Sequence, residues 1–203
     1  MTASTSAPED FDPASIEVLK GLDHIRRRPA MYVGDDGRLG AASLIQCAAD
    51  VLAALSVNRD RFPHYHHHAF LDVQVKGKSV DVLIDHMQSE CPDIRDRCLS
   101  LSENREQMQP DVYALHQSVN AVSSISVLAA LTEDLSVFSS VVGEVIGTTG
   151  VSPPNLDKDA FVHASFKVGD RVSIDGLSTD FLTGFLEGSR HVQALVLRRV
   201  SVL

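Results

Sequence analysis

The amino-acid sequence predicts an α+β fold, in which helices cover one face of a mixed, mostly antiparallel sheet. Three observations predict it. Apolar residues recur at helical spacing over residues 39–55, two alternating runs flank the turn Lys76-Gly77-Lys78, and most of the later β-rich runs follow residue 131 with one late helix among them. A chain that places helices before a hairpin, and then a group of strands after more helix, is typical of a two-layer α+β sandwich.

The helices are predicted from apolar spacing and from end signals. The first begins at the cap Asp12-Pro13 and ends at Pro29, because proline cannot continue a helix. A second spans 39–55, and its spacing predicts a buried apolar face of Leu44, Ile45, Ala48, Leu52 and Leu55. Small apolar residues predict a buried helix over 119–131, and a short helix is predicted over 179–187.

The strands are predicted from alternating apolar runs between turn residues. The hairpin pairs 70–75 with 80–84, and further strands are predicted at 135–142, 144–148, 162–168, 171–174 and 192–202. Residues 31–40, which contain two glycine turns, are predicted to be irregular. Residues 85–110 are predicted to be loop, with a short helix near 94–101.

Composition bounds the class of protein. The chain has 203 residues, of which 44% are hydrophobic and 22% charged, which fits one globular domain over 12–203 after a flexible tail over 1–11. A net charge of −9 disfavours nucleic-acid binding. Three cysteines without metal-ligand spacing, no secretory signal and no membrane-length apolar run predict a cytoplasmic protein that does not bind membranes.

The segment from Ile16 to Asp35, IEVLKGLDHIRRRPAMYVGD, closely resembles the opening of the ATPase domains of gyrase B and of its topoisomerase IV counterpart. The resemblance covers consecutive Arg-Pro and Met-Tyr pairs, and weaker similarities follow in the same order along the chain. It implies the GHKL, or Bergerat, two-layer sandwich that gyrase shares with Hsp-type chaperones, histidine kinases and MutL. In that family the first long helix carries a glutamate base and, four residues later, an asparagine that holds magnesium.

The residues at those positions lack the glutamate and asparagine side chains that the resemblance implies. In one register the glutamate and asparagine positions are Ile45 and Ala49, and in the other they are Gln46 and Asp50. Neither register supplies a carboxylate base at the first position, since an amide or an alkyl group cannot accept a proton usefully. The sequence therefore predicts loss of ATP hydrolysis.

The nucleotide-binding loops have changed as well. The family's acid and two glycines correspond to Asp85, Met87 and Ser89, so the acid is kept and both glycines are replaced. Side chains at the glycine positions would obstruct close approach of a nucleotide to the backbone. The stretch 118–125, where the phosphate-binding lid is expected, contains no glycine. ATP binding is predicted to be lost, and no cofactor is expected.

A remodelled, drier cleft is the predicted site. Its candidate lining residues are Ile45, Gln46, Ala49, Asp50, Asp85, Met87, Val119, Val122 and Val162. We predict that the cleft binds a small non-nucleotide ligand or a protein partner. Two alternatives are an ATP-independent isomerase or cyclase acting on a hydrophobic metabolite in specialised metabolism, and a decoy or regulator of gyrase. Residual ATPase activity is the least favoured hypothesis.

Two other patterns suggest binding. In the resembled family the region of Met31 and Tyr32 lies near the dimer contact, so these residues are candidates for a partner interface and the chain is a possible homodimer, although core packing remains the default. The four histidines of 64–68 could bind zinc or nickel. Consecutive side chains diverge, however, and no cysteine completes the set, so a polar surface loop is favoured and no metal site is predicted.

Overall fold

The computed structural model describes residues 22–56, 69–85, 119–140, 143–146, 161–189 and 195–203. Over these ranges the chain forms five helices and six strands. The helices are α1 (Asp23–Arg27), α2 (Ala30–Val33), α3 (Gly37–Ser56), α4 (Val119–Leu131) and α5 (Thr179–Glu187). The strands are β1 (Phe70–Lys76), β2 (Ser79–Asp85), β3 (Thr132–Ser139), β4 (Gly143–Ile146), β5 (Phe161–Val168) and β6 (Val196–Val202). The predicted tail over 1–11, the cap at 12–13 and the short helix near 94–101 lie outside the described residues.

The strands form one sheet in the order β4-β3-β5-β2-β1-β6. Every neighbouring pair is antiparallel except β1 and β6, which are parallel. Helix α3 packs on β2 and β5 and beside α4, while α5 packs against β6. The predicted α+β sandwich, with a mixed and mostly antiparallel sheet, is therefore confirmed.

Strand alternation gives the sheet two different faces. Residues that lie opposite one another in a ladder point to the same side of the sheet. Leu71, Ile84 and Val162 lie opposite one another on the side that faces the helices, and all three belong to the buried apolar core. Their neighbours Phe70, Asp85 and Phe161 therefore lie on the other side, which we call the outer face.

The hairpin of β1 and β2 follows the sequence prediction closely. Its seven residue pairs run from Phe70 opposite Asp85 to Lys76 opposite Ser79. Gly77 occupies the turn with a φ of +54°, a conformation that glycine adopts without steric cost. The predicted helices over 119–131 and 179–187 also have the bounds of α4 and α5. Ser178 caps α5, because its hydroxyl accepts a hydrogen bond from the backbone N–H of Phe181 at 3.2 Å.

Two local predictions were wrong. Residues 31–40 are not irregular, since α2 occupies Ala30–Val33 and α3 already begins at Gly37. Residues 171–174 do not form a strand. The backbone N–H of Gly169 donates to the carbonyl of Leu131, and that of Val172 donates to the carbonyl of Gly169, so the chain turns there. Strand β5 already has β2 and β3 on its two edges, which leaves no place for another partner.

Candidate functional site

The apolar pair of candidate residues on α3 lies within the core. Ile45 and Ala49 have no exposed surface, and both belong to the cluster that includes Ile84 and Val162 from the sheet. Their spacing of four residues places them on one side of the helix. Neither side chain offers a proton acceptor or a metal ligand. The structure therefore brings Ile45, Ala49 and Val162 into one hydrophobic cluster.

The polar pair of candidate residues on the same helix has a different environment. Gln46 is half-buried, and its Nε2 atom donates a hydrogen bond to the hydroxyl of Ser189 at 3.1 Å. Ser189 follows α5, so this bond ties the two helices together. Asp50 is buried on α3. Gln46 thus makes a structural contact with Ser189. Asp50 is the one carboxylate of the candidate pair Gln46 and Asp50.

A thiol that the sequence analysis did not select lies near Asp50. Burial raises the pKa of Cys47 to about 11, a hydrogen bond with Ser124 of α4 opposes that rise, and the Asp50 carboxylate adds to it. The thiol is therefore protonated at neutral pH and is a poor nucleophile. The spacing of three residues between Cys47 and Asp50 on a predicted helix was the signal that could have linked them.

Asp85 lies on the opposite face of the sheet from the candidates Ile45, Ala49 and Val162. It ends β2 on the outer face, opposite Phe70 and Phe161, whereas Val162 points toward the helices. Asp85 has no exposed surface, and its Oδ2 atom lies 2.7 Å from an Nη2 atom of Arg198. Strand alternation separates the acid from Ile45 and Ala49 by the thickness of the sheet.

Arg198 connects Asp85 to a second acid. Its Nε atom donates to Oδ1 of Asp72 at 2.9 Å, and its Nη2 atom also donates to Oδ2 of Asp72. The hydrogen bond to Asp72 is the main cause that raises the pKa of Arg198 above its ordinary value. The guanidinium also lies over the ring of Phe70, 5.2 Å from its centroid. Neither Asp72 nor Arg198 was a sequence candidate, because their pairing depends on strand order.

A histidine and an acid form a pair farther along the outer face. Nε2 of His163 on β5 lies 3.1 Å from Oδ1 of Asp81 on β2. His163 is buried, whereas about half of the Asp81 side chain is exposed. Opposite His163 on β3 is Phe138, which stacks on Phe161 with 5.9 Å between ring centroids. The alternation of β2, which places Asp81 and Asp85 on one face, was the available sequence signal.

The two candidate interface residues lie on α2 and are exposed. Met31 is 72% exposed and Tyr32 is 43% exposed, and the Tyr32 ring meets His24 edge-on with 5.9 Å between centroids. Candidate Met87 and the histidines of 64–68 fall outside the described residues. Val119 and Val122 belong to α4, but their side chains lie outside the described part.

Within the described ranges, no group of three or more His, Cys, Asp or Glu side chains could hold a metal ion. In the same part of the chain, no helix combines the length and the apolar character needed to cross a membrane.

Sequence comparison finds similarity to gyrase. The chain is 41% identical over 49 residues to the DNA gyrase B-subunit of Streptomyces coelicolor, and 44% identical over 45 residues to that of Mycobacterium leprae. It is 42% identical over 41 residues to the type 2 topoisomerase B-subunit of Aquifex aeolicus. These matches cover 20–24% of this chain and 5–7% of those proteins. No protein-family model matches the chain.

Among solved structures, the B-subunit of the DNA gyrase from Myxococcus xanthus matches with a TM-score of 0.48 and 15% identity, over 80% of this chain and 47% of that one. The identity of more than 40% over short segments of three B-subunits confirms the resemblance that the sequence motif indicated. This chain is therefore similar to the B-subunits of type 2 topoisomerases over about a quarter of its length.

Proposed function

We propose that this chain is a non-catalytic, gyrase B-like domain that does not hydrolyse ATP and that acts by binding a protein partner. The observation that carries the proposal is the burial of Ile45 and Ala49 in an apolar cluster. Hydrolysis needs a base that can reach a water molecule. Neither side chain is basic, and neither is exposed to water.

The position of Asp85 supports the same conclusion. A carboxylate that recognises a ligand must present its oxygens to that ligand. Here the carboxylate has no exposed surface and is paired with Arg198, on the face of the sheet that points away from α3. This placement supports a structural role for the acid and not a shared role with Ile45 and Ala49.

Protein binding is favoured over a ligand in the old cleft because the described side chains between α3 and the sheet are buried in one apolar cluster. Ile45, Ile84 and Val162 each have no exposed surface. By contrast, Met31 and Tyr32 are adjacent exposed hydrophobic residues on α2. Methionine and tyrosine are enriched at protein interfaces, where they bury apolar area on association.

Nucleotide binding is tested directly. We expect no change in melting temperature with millimolar ATP and magnesium, because a ligand that does not bind the native state cannot stabilise it. We also expect no phosphate release above that of a buffer blank. Phosphate release that is abolished by Asp50→Asn or by Asp85→Asn would contradict the proposal, since it would assign a catalytic role to that acid.

Partner binding is tested with two probes, the gyrase B-subunit from the same organism and a second copy of this chain. We expect micromolar association with one of them, measured by calorimetry, and at least a tenfold loss in the double variant Met31→Ala with Tyr32→Ala. Leu203→Ala is the matched control, because Leu203 is also an exposed large hydrophobic residue but lies beyond β6. Absence of association with both probes, or an equal loss in the control, would contradict this assignment.

A second candidate function, an ATP-independent enzyme, is favoured by the pair of His163 and Asp81. A buried histidine held by a carboxylate is an arrangement that suits general acid–base catalysis. The test is a thermal-shift screen of hydrophobic metabolites, followed by mass spectrometry of each hit after incubation. Product formed by the native chain but not by a folded His163→Gln variant would favour this candidate over the first.

A further inference from the structure

The last strand is joined to the β1–β2 hairpin by a charge cluster of Asp72, Asp85 and Arg198, in which Asp85 is buried, Asp72 is partly buried and Arg198 is exposed. We call this cluster the carboxylate pair and its arginine. The guanidinium makes two donor bonds to Asp72 and one ion pair, at 2.7 Å, to Asp85. The planar fork of arginine matches carboxylate oxygens, which a single ammonium group cannot do. The two acids therefore present a site with the shape of a guanidinium group.

The backbone is arranged to deliver Arg198 to this site. In the parallel pairing of β1 with β6, Leu71 lies opposite Leu197 but Asp72 lies opposite Arg199. Arg198 is therefore the extra residue of a β-bulge. Bulges are uncommon between parallel strands, and they turn a side chain out of the regular alternation. This one lets Arg198 reach two acids on neighbouring strands.

Burial distinguishes this cluster from the exposed ion pairs of the protein. Asp85 has no exposed surface, the side chain of Asp72 is 19% exposed, and that of Arg198 is 35% exposed. A buried carboxylate is strongly destabilising unless a cation accompanies it. The aromatic face of Phe70 closes one side of the guanidinium, 5.2 Å from the ring centroid.

We propose that Asp72 and Asp85 form a binding site for a guanidinium or amidinium group, which Arg198 fills from within the chain. The occupant is covalently part of β6, so the contact both closes the site to external cations and holds the C-terminal strand against the hairpin. Removing the arginine side chain empties the site, and the two acids remain able to select a guanidinium group. This inference does not depend on which partner the domain binds.

The experiment compares Arg198→Ala with Arg199→Ala, and uses methylguanidinium as the probe. Arg199 is the matched control because it is exposed, adjacent and equal in charge. We expect Arg198→Ala to melt at a lower temperature than Arg199→Ala, and low millimolar methylguanidinium to raise the melting temperature of Arg198→Ala alone. Methylammonium, which has a similar charge but no fork, should leave it unchanged.

A second variant locates the binding. The double variant Arg198→Ala with Asp85→Asn should lose the response to methylguanidinium, because the site then lacks its buried charge. An equal response in Arg198→Ala, Arg199→Ala and the double variant would overturn the proposal. If Arg198→Ala does not fold, the readout is its refolding yield, which should rise with methylguanidinium and not with methylammonium. Equal yields with the two cations would also overturn it.

Discussion

The two sides of the sheet differ in chemistry although they share the same strands. The side that faces α3 carries aliphatic residues such as Leu71, Val82 and Ala164, all in the buried core. The outer face carries charged and polar residues in cross-strand contacts, among them Asp81 with His163 and Asp85 with Arg198. Alternation along each strand produces this separation.

The difference shows where reactive groups lie among the described residues. The helix-facing side is a hydrophobic interior, which contributes to stability, and Ile45 has no exposed surface there. Two titratable pairs, Asp81 with His163 and Asp85 with Arg198, lie on the outer face. Cys47, Asp50 and Ser124 form an exception, a small polar cluster between α3 and α4.

The largest expected effect comes from placing a carboxylate on α3 where the helix faces the sheet. Ile45→Glu should lower the free energy of unfolding by about 3–5 kcal/mol, which is the order expected for an unpaired buried charge. Urea unfolding followed by circular dichroism measures it. The control Ile45→Val should cost only about 0.5–1.5 kcal/mol. Equal stability of the two variants would mean that water reaches position 45, as it would in an open site.

The polar cluster in the helical layer should appear in the pH dependence of stability. The pKa of Cys47 is raised from 9.0 to about 11, so its contribution to stability is complete below pH 9 and is lost as the pH rises toward 11. At one pKa unit per 1.36 kcal/mol, the native protein should lose up to about 2–3 kcal/mol relative to Cys47→Ala over this range. Urea unfolding of both proteins at several pH values measures the difference, and parallel curves would contradict a buried thiol.

On the outer face, loss of one neutral or charge-assisted hydrogen bond should have a smaller effect. His163→Gln should lower the free energy of unfolding by about 1 kcal/mol. The glutamine side chain is more flexible than the imidazole ring and therefore holds the hydrogen bond with Asp81 less well. Asp81→Asn, which keeps an acceptor oxygen, should cost less. A rise in stability on losing His163 would instead indicate a residue kept for function at the expense of stability.

The smallest effect is expected for the exposed ion pairs. Lys78 Nζ lies 2.6 Å from Asp170 Oδ1, but both side chains are more than half exposed. Water and salt screen such a pair, so Lys78→Gln should leave the urea midpoint unchanged at physiological ionic strength. If the urea midpoint of Lys78→Gln fell below that of the native chain at low salt, and the difference disappeared at high salt, the pair would contribute to stability when it is not screened.

Local sequence patterns predicted the elements well where neighbours in the chain decide the conformation. The turn residue Gly77 and the apolar spacing of α3 both act over a few residues. Local patterns wrongly predicted a strand at residues 171–174. Strand β5 already has a partner on each edge, which only the assembled sheet reveals.

The sequence by itself determined that helices would cover a mixed sheet, and that the first position of either register on α3 is Ile45 or Gln46 and not a carboxylate, since periodicity and residue identity are enough for these two conclusions. Only the tertiary structure decided that Asp85 lies on the outer face with Arg198 as its partner. Asp72 and Arg198 are 126 positions apart, and their contact depends on strand order, one parallel pairing and a single-residue bulge. None of these is encoded in local spacing, because register is set by the packing of the whole sheet.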